Sequence, residues 1–271
     1  MARAWLAHIV LATLLPGAAA AGPRPDQTAR AGPAGDELPA FYETLYLVVN
    51  TTRAPLDDVR VRYALAMATD RRAIAAAMHE DGFEDISGTG LVPPYTGYRV
   101  LERLETPIKG RAVDVLAYDP ASARELLAEA GYPGGVSKNG RKLAVDLLVY
   151  EGEDTDVLVR LLKEQWGRNL GIDVNAVRQP WHTYLKTKDA RAFGVAIDGR
   201  ALMVSDASEL FDFATGMVSR APAWSDPTFA EMLRQASRYN APNRADRLRA
   251  CEEYLLRRMP VIPLLSRRPS H

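Results

Sequence analysis

The residues best suited to chemistry are few in this sequence, and their spacing builds neither a catalytic nor a metal site. The four histidines are His8, His79, His182 and His271, and no pair of them has the short spacing that binds zinc or nickel. The single cysteine, Cys251, sits at helical spacing among apolar residues, which favours a buried filler over a reactive thiol. Neither a Gly-x-Ser-x-Gly elbow nor a Walker loop occurs in the sequence. We therefore predict that the chain is not an enzyme and uses no metal or cofactor.

A group of carboxylates after Tyr150 has two interpretations. Glu151, Glu153, Asp154 and Asp156 could imitate a calcium loop, but they lack the ligand order and the glycine of an EF-hand. Acidic residues are also favourable in the first turn of a helix, because they complement its dipole. The pattern therefore predicts a solvated turn that leads into a helix rather than a metal site.

Composition and charge exclude some partners. The 34 lysines and arginines balance the 34 aspartates and glutamates, and the sequence pI is about 6.9. Such a balance does not favour binding to nucleic acid. With 47% hydrophobic and 25% charged residues over 271 positions, the chain is typical of a soluble globular protein with one large or two small domains.

The amino-terminal residues have the pattern of an export signal. Arg3 precedes an apolar stretch at 5–15, and a run of alanines offers a cleavage site before Gly22. We expect residues 1–21 to be a signal peptide and residues 22–40, rich in Pro, Gly and charge, to be a flexible linker. Since no cysteine lies directly after that cleavage site, we expect a free periplasmic protein rather than a lipoprotein.

The rest of the sequence alternates helix and strand signals, which predicts an α/β domain over residues 41–265 and a short tail at 266–271. The helix starts are set by caps such as Asp57, Asp70 and Asp119-Pro120. Helices are predicted at 57–68, 71–78, 120–130, 155–170, 207–215, 227–239 and 244–258, and strands at 46–49, 143–150, 172–177, 193–197 and 259–264.

Six motifs, in this order, carry a resemblance to a known family. They are the segment 46–66 with Asp70-Arg71, Gly90-Leu91-Val92-Pro93-Pro94 with Gly97-Tyr98, Tyr118-Asp119-Pro120 with the turn from Ala130 to Gly135, the unit of Trp166, Leu170, Gly171 and Ile172, Trp224-Ser225-Asp226-Pro227, and Met259-Pro260-Val261-Ile262-Pro263-Leu264. Together they resemble the carboxy-terminal half of the extracellular solute-binding proteins of family 5, which serve peptide and oligopeptide ABC transporters. The resemblance implies a lobe of the type II periplasmic-binding-protein-like fold, with a mixed sheet flanked by helices and the first lobe largely missing.

The same resemblance implies a function and a site. Family members capture peptide non-covalently between two lobes and deliver it to the permease subunits in the membrane. An acidic residue that often pairs with the peptide's amino terminus is Met203 here, and Arg200 stands at a tryptophan position. A thioether cannot form the charge-assisted bond to an ammonium group. Asp198 is a substitute partner, Asp206 is either a ligand contact or a helix cap, and Trp181 either stacks on a ligand or packs in the scaffold.

Two alternatives to a working peptide receptor stay open. The missing lobe and the residues Arg200 and Met203 also suit a folded remnant or accessory interaction domain that no longer binds solute. A secreted hydrolase is the third interpretation, and no nucleophile with its base supports it.

A missing lobe would also leave part of this lobe uncovered. We expect an exposed apolar patch formed by Leu47, Val49, Val261, Ile262 and Leu264. Since an uncovered strand edge can pair with another chain, self-association through that edge is expected too.

Overall fold

Strands and helices alternate along the chain in the computed structural model, which describes residues 42–79, 83–85, 90–93, 98, 100–202, 207–208, 210–211, 223–238 and 242–269. The strands are β1 (Tyr42–Val49), β2 (Phe83–Asp85), β3 (Glu105–Ile108), β4 (Arg111–Asp114), β5 (Ala144–Tyr150), β6 (Asp173–Gln179), β7 (Val195–Leu202) and β8 (Val261–Pro269). The helices are α1 (Val59–Met67), α2 (Arg71–Ala77), α3 (Pro120–Glu129), α4 (Glu153–Leu170), α5 (Trp181–Asp189), α6 (Pro227–Ala236) and α7 (Arg244–Leu256). The predicted signal peptide and linker lie outside the described residues.

A mixed sheet organises the lobe. Its strand order is β2-β8-β1-β7-β5-β6, and β3 and β4 form a separate hairpin. Strand β5 is parallel to both β6 and β7, with Leu147 opposite Val195, whereas β1 is antiparallel to β7 and β8, with Glu43 opposite Arg267. The predicted α/β class, a mixed sheet flanked by helices, is confirmed.

Aspartate caps fix the starts of several helices. The carboxylates of Asp70 and Asp119 accept hydrogen bonds from the first-turn amides of α2 and α3, and Asp226 does the same for α6. These caps satisfy amides that have no partner inside the helix. For α1 the cap is Asp58, which accepts from Arg60 N at 2.9 Å, so the cap lies one residue later than the predicted Asp57.

Helix α4 ties the corner between α1 and α2 to the core. The indole of Trp166 is fully buried and donates to Thr69 Oγ1 at 3.0 Å. On the same helix, Gln165 accepts from the amide of Asp70 at 2.8 Å, and Asn169 donates to a carbonyl at the end of α1. Cys251 on α7 is also buried, and burial raises the pKa of its thiol to about 11, so the predictions of core positions for Trp166 and Cys251 are confirmed.

The predicted exposed apolar patch is wrong. Its members, Leu47, Val49, Val261, Ile262 and Leu264, are each no more than 1% exposed. Successive residues of β1 and β8 are buried in the core, so both faces of these strands are covered within the chain. Their edges are paired as well, because β1 lies between β7 and β8, and β8 lies between β1 and β2. The edge expected to support self-association is therefore already paired within the chain.

Strand boundaries also differ from the predictions. Residues 266–271 were expected to form a tail, but β8 continues to Pro269, and Ser266 and Arg267 are buried in the sheet. Strand β7 runs five residues beyond the predicted end at Ile197. The described part of the chain holds no helix that is both long and apolar enough to cross a membrane.

Candidate ligand-binding site

The carboxyl ends of the parallel strands mark the candidate site. Strand β5 ends at Tyr150 and β6 at Gln179, and at most two residues separate each strand from the helix that follows it, α4 or α5. The chain leaves β5 towards β6 on one side, and β7 lies on the other side of β5. In open α/β sheets, ligands bind outside the carboxyl ends of the strands at such a change of direction. We therefore place the candidate site at the ends of β5 and β7.

Helix α5 presents one face to this place. Its residues Trp181, Tyr184 and Lys188 follow the i, i+3, i+7 spacing, which puts them on the same side of a helix. The hydroxyl of Tyr184 donates to the carbonyl of Ile197 on β7 at 2.7 Å. That bond holds the helix against the sheet.

Three aromatic rings form the floor of the site. The rings of Trp181 and Tyr184 stack with centroids 5.4 Å apart, and Tyr150 meets Trp181 edge-on at 5.2 Å. Tyr150 and Tyr184 are buried, while Trp181 is only partly buried and keeps surface for contact with a solute. An indole with one packed side and one open side suits stacking on a peptide or similar solute.

Asp198 on β7 lies beside this aromatic group but is not an open acceptor. Its carboxylate pairs with the ammonium of Lys188, and its other oxygen accepts from the amide of Gly199 at 2.9 Å. The residue is 8% exposed, so the strand turns it inward rather than to solvent. Its negative charge is therefore already compensated within the chain.

The hydroxyl of Tyr150 stays protonated in this setting. Burial raises the pKa of Tyr150 well above its usual range, and the nearby carboxylates of Asp198, Asp154 and Glu43 raise it further. Extending the β5–β7 register by two residues from Leu148 and Ala196 also puts Tyr150 level with Asp198 on one face. The site thus has a neutral phenol surrounded by carboxylates.

A second ion pair lies at the adjacent end of β1. Glu43 accepts from Arg267 Nε at 2.7 Å, and both side chains are at least nine-tenths buried. Behind them the hydroxyls of Thr44 and Ser266 lie 3.0 Å apart. The second oxygen of Glu43 is buried and has no hydrogen-bond partner among the described residues. Sequence reasoning missed this pair, because it assigned Arg267 to the tail.

The structure unites only some of the predicted site residues. Trp181 and Asp198 lie in one cluster, linked through Tyr184 and Lys188. Arg200 is in β7 opposite Thr44, so its backbone is paired. Met203 and Asp206 lie outside the described residues. Lys188 was missed, although its i, i+7 spacing from Trp181 could have indicated a shared helix face.

The acidic group after Tyr150 has a structural role. Glu153, Asp154 and Asp156 occupy the first turn of α4, whose cap residue Gly152 has no side chain to bond the helix amides. Negative side chains there complement the helix dipole. Asp156 also pairs with Arg178 Nε at 2.8 Å. Since three of the four predicted carboxylates lie in this first turn, the interpretation as a helix start is confirmed.

A cavity of about 840 Å³ lies elsewhere, beside the start of α2. Its buried arginine, Arg71, donates to the carbonyls of Pro263 and Leu116 at 2.7 and 2.9 Å. Its aspartate, Asp114, accepts from the amides of Leu104 and Leu116. Arg71 and Asp114 thus hold backbone segments in place, although Nη2 of Arg71 has no hydrogen-bond partner among the described residues. We place the candidate site at the strand ends, where the aromatic rings and the Lys188–Asp198 pair lie together.

Comparison with known proteins indicates the family of the chain. The sequence profile of bacterial extracellular solute-binding proteins, family 5 Middle, matches residues 14–219. The periplasmic murein peptide-binding protein MppA of Escherichia coli is 30% identical over 237 residues, which cover 83% of this chain and 40% of that protein. The periplasmic oligopeptide-binding protein OppA of Salmonella typhimurium is 32% identical over 177 residues, 65% of this chain and 30% of that protein. This chain therefore matches less than half of the length of these relatives.

Solved structures show the same fold. An oligopeptide-binding protein of Borrelia burgdorferi superposes with a TM-score of 0.68 and 22% identity, covering 86% of this chain and 45% of its own. A peptide-binding protein of a peptide ABC transporter superposes with a TM-score of 0.64 and 22% identity, covering 83% of this chain and 99% of its own. The second structure shows that a solved chain can consist almost wholly of this lobe.

Proposed function

Because this chain belongs to family 5 of the bacterial extracellular solute-binding proteins, we propose that it is the exported solute-binding component of a peptide-type ABC transporter. It captures peptide or a similar small solute without forming a covalent bond and delivers it to the permease subunits in the membrane. Relatives named as murein peptide-binding and oligopeptide-binding proteins support peptide as the solute class. The apolar stretch at 5–15 supports export to the periplasm.

One observation carries the proposal. The partly buried indole of Trp181 lies over Tyr150 and Tyr184 at the carboxyl ends of β5 and β7. An aromatic platform at this edge of a sheet can bind a solute by stacking and burial, with no reaction to catalyse. Capture in this family uses closure of two lobes, so the present lobe provides one wall of the site and a second lobe provides the other.

The proposal is tested with the purified chain and a defined pool of di- to pentapeptides. A ligand that binds only the native state raises the free energy of unfolding, by about 2.7 kcal/mol at a concentration of about 100 times Kd. We expect the thermal midpoint to rise with the pool. Trp181→Ala should weaken binding at least about tenfold, which corresponds to about 1.4 kcal/mol.

His182→Ala is the matched control, because His182 is exposed and follows Trp181 on the same helix. It should leave the midpoint shift unchanged. A cooperative melt that no peptide shifts would contradict the proposal, and equal loss of affinity in both variants would remove Trp181 from the site.

The second candidate function is a folded domain that no longer binds solute and acts through protein contacts. It is favoured by Asp198, whose charge is already compensated by Lys188, together with Met203 at the family's acidic position. A single lobe with an inert site would melt cooperatively and show no response to peptide.

A further inference from the structure

The ion pair between Lys188 and Asp198 resembles the contact that a ligand's ammonium group would make with a carboxylate, but both partners belong to this chain. An ammonium group at the end of a flexible stem meets a carboxylate beside the aromatic platform. The side chain of Lys188 is 24% exposed and that of Asp198 is 12% exposed, so the pair is largely withdrawn from water. Charge-assisted bonds in such surroundings are stronger than those at an open surface.

Three contacts keep Lys188 in this place. Besides the carboxylate of Asp198, its ammonium lies 5.9 Å from the centroid of the Tyr184 ring, within reach of a cation–π interaction. Lys188 is also in the last turn of α5, where positive charge complements the helix dipole. A ligand ammonium that displaced Lys188 would replace one such bond by another and would leave Lys188 without its partner.

The other carboxylates near Tyr150 are less accessible or already compensated. Glu43 is paired with Arg267 in the interior of the sheet, and its second oxygen, which has no hydrogen-bond partner among the described residues, is buried in a side chain that is 3% exposed. Asp154 is in the first turn of α4, where the helix dipole favours its negative charge. The described part of the site therefore gives the positive amino terminus of a peptide no uncompensated negative partner.

Resting on the proposed function, we propose that Lys188 is a specificity-determining residue that occupies the ammonium position of the site from within. Asp198 is its acceptor, and Met203 at the family's acidic position adds no second one. The lobe therefore selects peptides whose amino end is blocked or neutral over the same peptides with a free ammonium.

The test compares trialanine with N-acetyl-trialanine by calorimetric titration of the purified chain near neutral pH. Wild-type protein should bind the acetylated peptide at least about tenfold more tightly. Lys188→Met keeps most of the stem but removes the charge, so the free peptide should become the tighter ligand by at least about tenfold. Each of these tenfold differences in affinity is a free energy that a few charge-assisted hydrogen bonds, at most, can supply.

Two control variants make the comparison specific. Lys186→Met removes an exposed charge from the same turn of α5 and should keep the wild-type preference. The double variant Lys188→Met with Asp198→Asn removes both charges, so it is also informative if the single variant folds poorly. It should bind the two peptides equally. The proposal is overturned if wild-type protein prefers the free peptide, or if Lys188→Met keeps the preference for the acetylated one.

A second measurement does not need peptide binding. Lys188→Ala opens the ammonium position, so millimolar ethylammonium should raise its thermal midpoint, while tetramethylammonium, which has no N–H donor, should not. Wild-type protein should respond to neither salt. Rescue without any peptide binding would refute the proposed function, and with it the selection among peptides, but would uphold the occupation of the ammonium position by Lys188. No rescue would overturn that occupation.

Discussion

Glu252 on α7 tests what holds residues 91, 92 and 98, which lie outside the helices and strands given above, to the rest of the lobe. Its carboxylate has no exposed surface and accepts from the amides of Leu91 and Val92 at 2.6 and 2.9 Å and from the hydroxyl of Tyr98 at 2.6 Å. Glu252→Ala would leave three donors without an acceptor. Each buried unpaired donor costs about 1–3 kcal/mol, so we predict a loss of about 4 kcal/mol in the free energy of unfolding.

Glu252→Gln keeps the shape of the side chain and one carbonyl oxygen for the two amides. Its new amide group can donate to the oxygen of Tyr98, so we expect a loss of only about 1 kcal/mol. The neighbouring Glu253→Ala is the matched control. Glu253 pairs with Arg249 along the same helix at 3.3 Å, in a partly exposed pair that is worth at most about 0.5 kcal/mol.

Urea unfolding followed by circular dichroism measures all three variants, with equal slopes as the condition for comparison. If the loss in the free energy of unfolding for Glu252→Ala is within about 1 kcal/mol of the loss for Glu253→Ala, the three hydrogen bonds do not stabilise the lobe as much as we predict.

The pH dependence of Glu252 provides a second readout. Burial raises the pKa of Glu252 above its ordinary value. The folded state therefore binds this proton more readily than the unfolded state, so the stabilising contribution is fully present below the unfolded pKa and is lost as pH rises through the folded pKa. The penalty of Glu252→Gln should consequently shrink as pH rises above the ordinary pKa of a glutamate. A penalty that grows over this range would contradict a raised pKa.

Two further predictions concern backbone geometry. Gly171 and Gly110 have similar positive φ angles of 73° and 75°, but a methyl group at Gly171 would lie 2.5 Å from the carbonyl oxygen of Gly134, whereas at Gly110 it would meet nothing within 4 Å. Gly171→Ala should therefore lower the free energy of unfolding by at least about 3 kcal/mol, whereas Gly110→Ala should lower it by only about 1 kcal/mol, from backbone strain. Equal losses for the two variants in urea unfolding would refute the steric argument. Asp119→Ala should cost about 1–2 kcal/mol by removing the cap of α3, and Asp119→Asn less than half of that, with thermal melts showing whether the cap accounts for the loss.

Local signals explain which parts of the fold could be predicted. Asp70 and Asp119 are strong caps directly before helical patterns, and the helices they begin are where the sequence predicts them. Gly171 ends α4 in the left-handed conformation that favours glycine. Strand β2 carried no such signal, because it has only three residues and is formed by pairing with β8, which lies about 180 residues further along the chain.

The wrong prediction of an exposed patch has the same origin. Strand β1 is apolar at almost every position from Leu45 to Val49, a pattern typical of a strand covered on both faces. The expectation of exposure came instead from the family, in which a missing lobe was taken to uncover the terminal strands. The terminal strands are instead covered within the lobe itself, because both of their faces are buried in the core and β8 pairs with β1 and β2.

The ion pair of Lys188 with Asp198 could not be predicted from the sequence alone. Trp181, Tyr184 and Lys188 can be put on one helix face from their spacing alone. The chain moves from β5 to β6 in one direction and from β6 back past β5 to β7 in the other. With right-handed crossovers, this reversal sends α4 and α5 to opposite faces of the sheet, and only then does α5 come to lie over Asp198. Lys188 is therefore a residue of the site because of a topological reversal, and a sequence with the same helix but a different strand order would leave its charge in solvent.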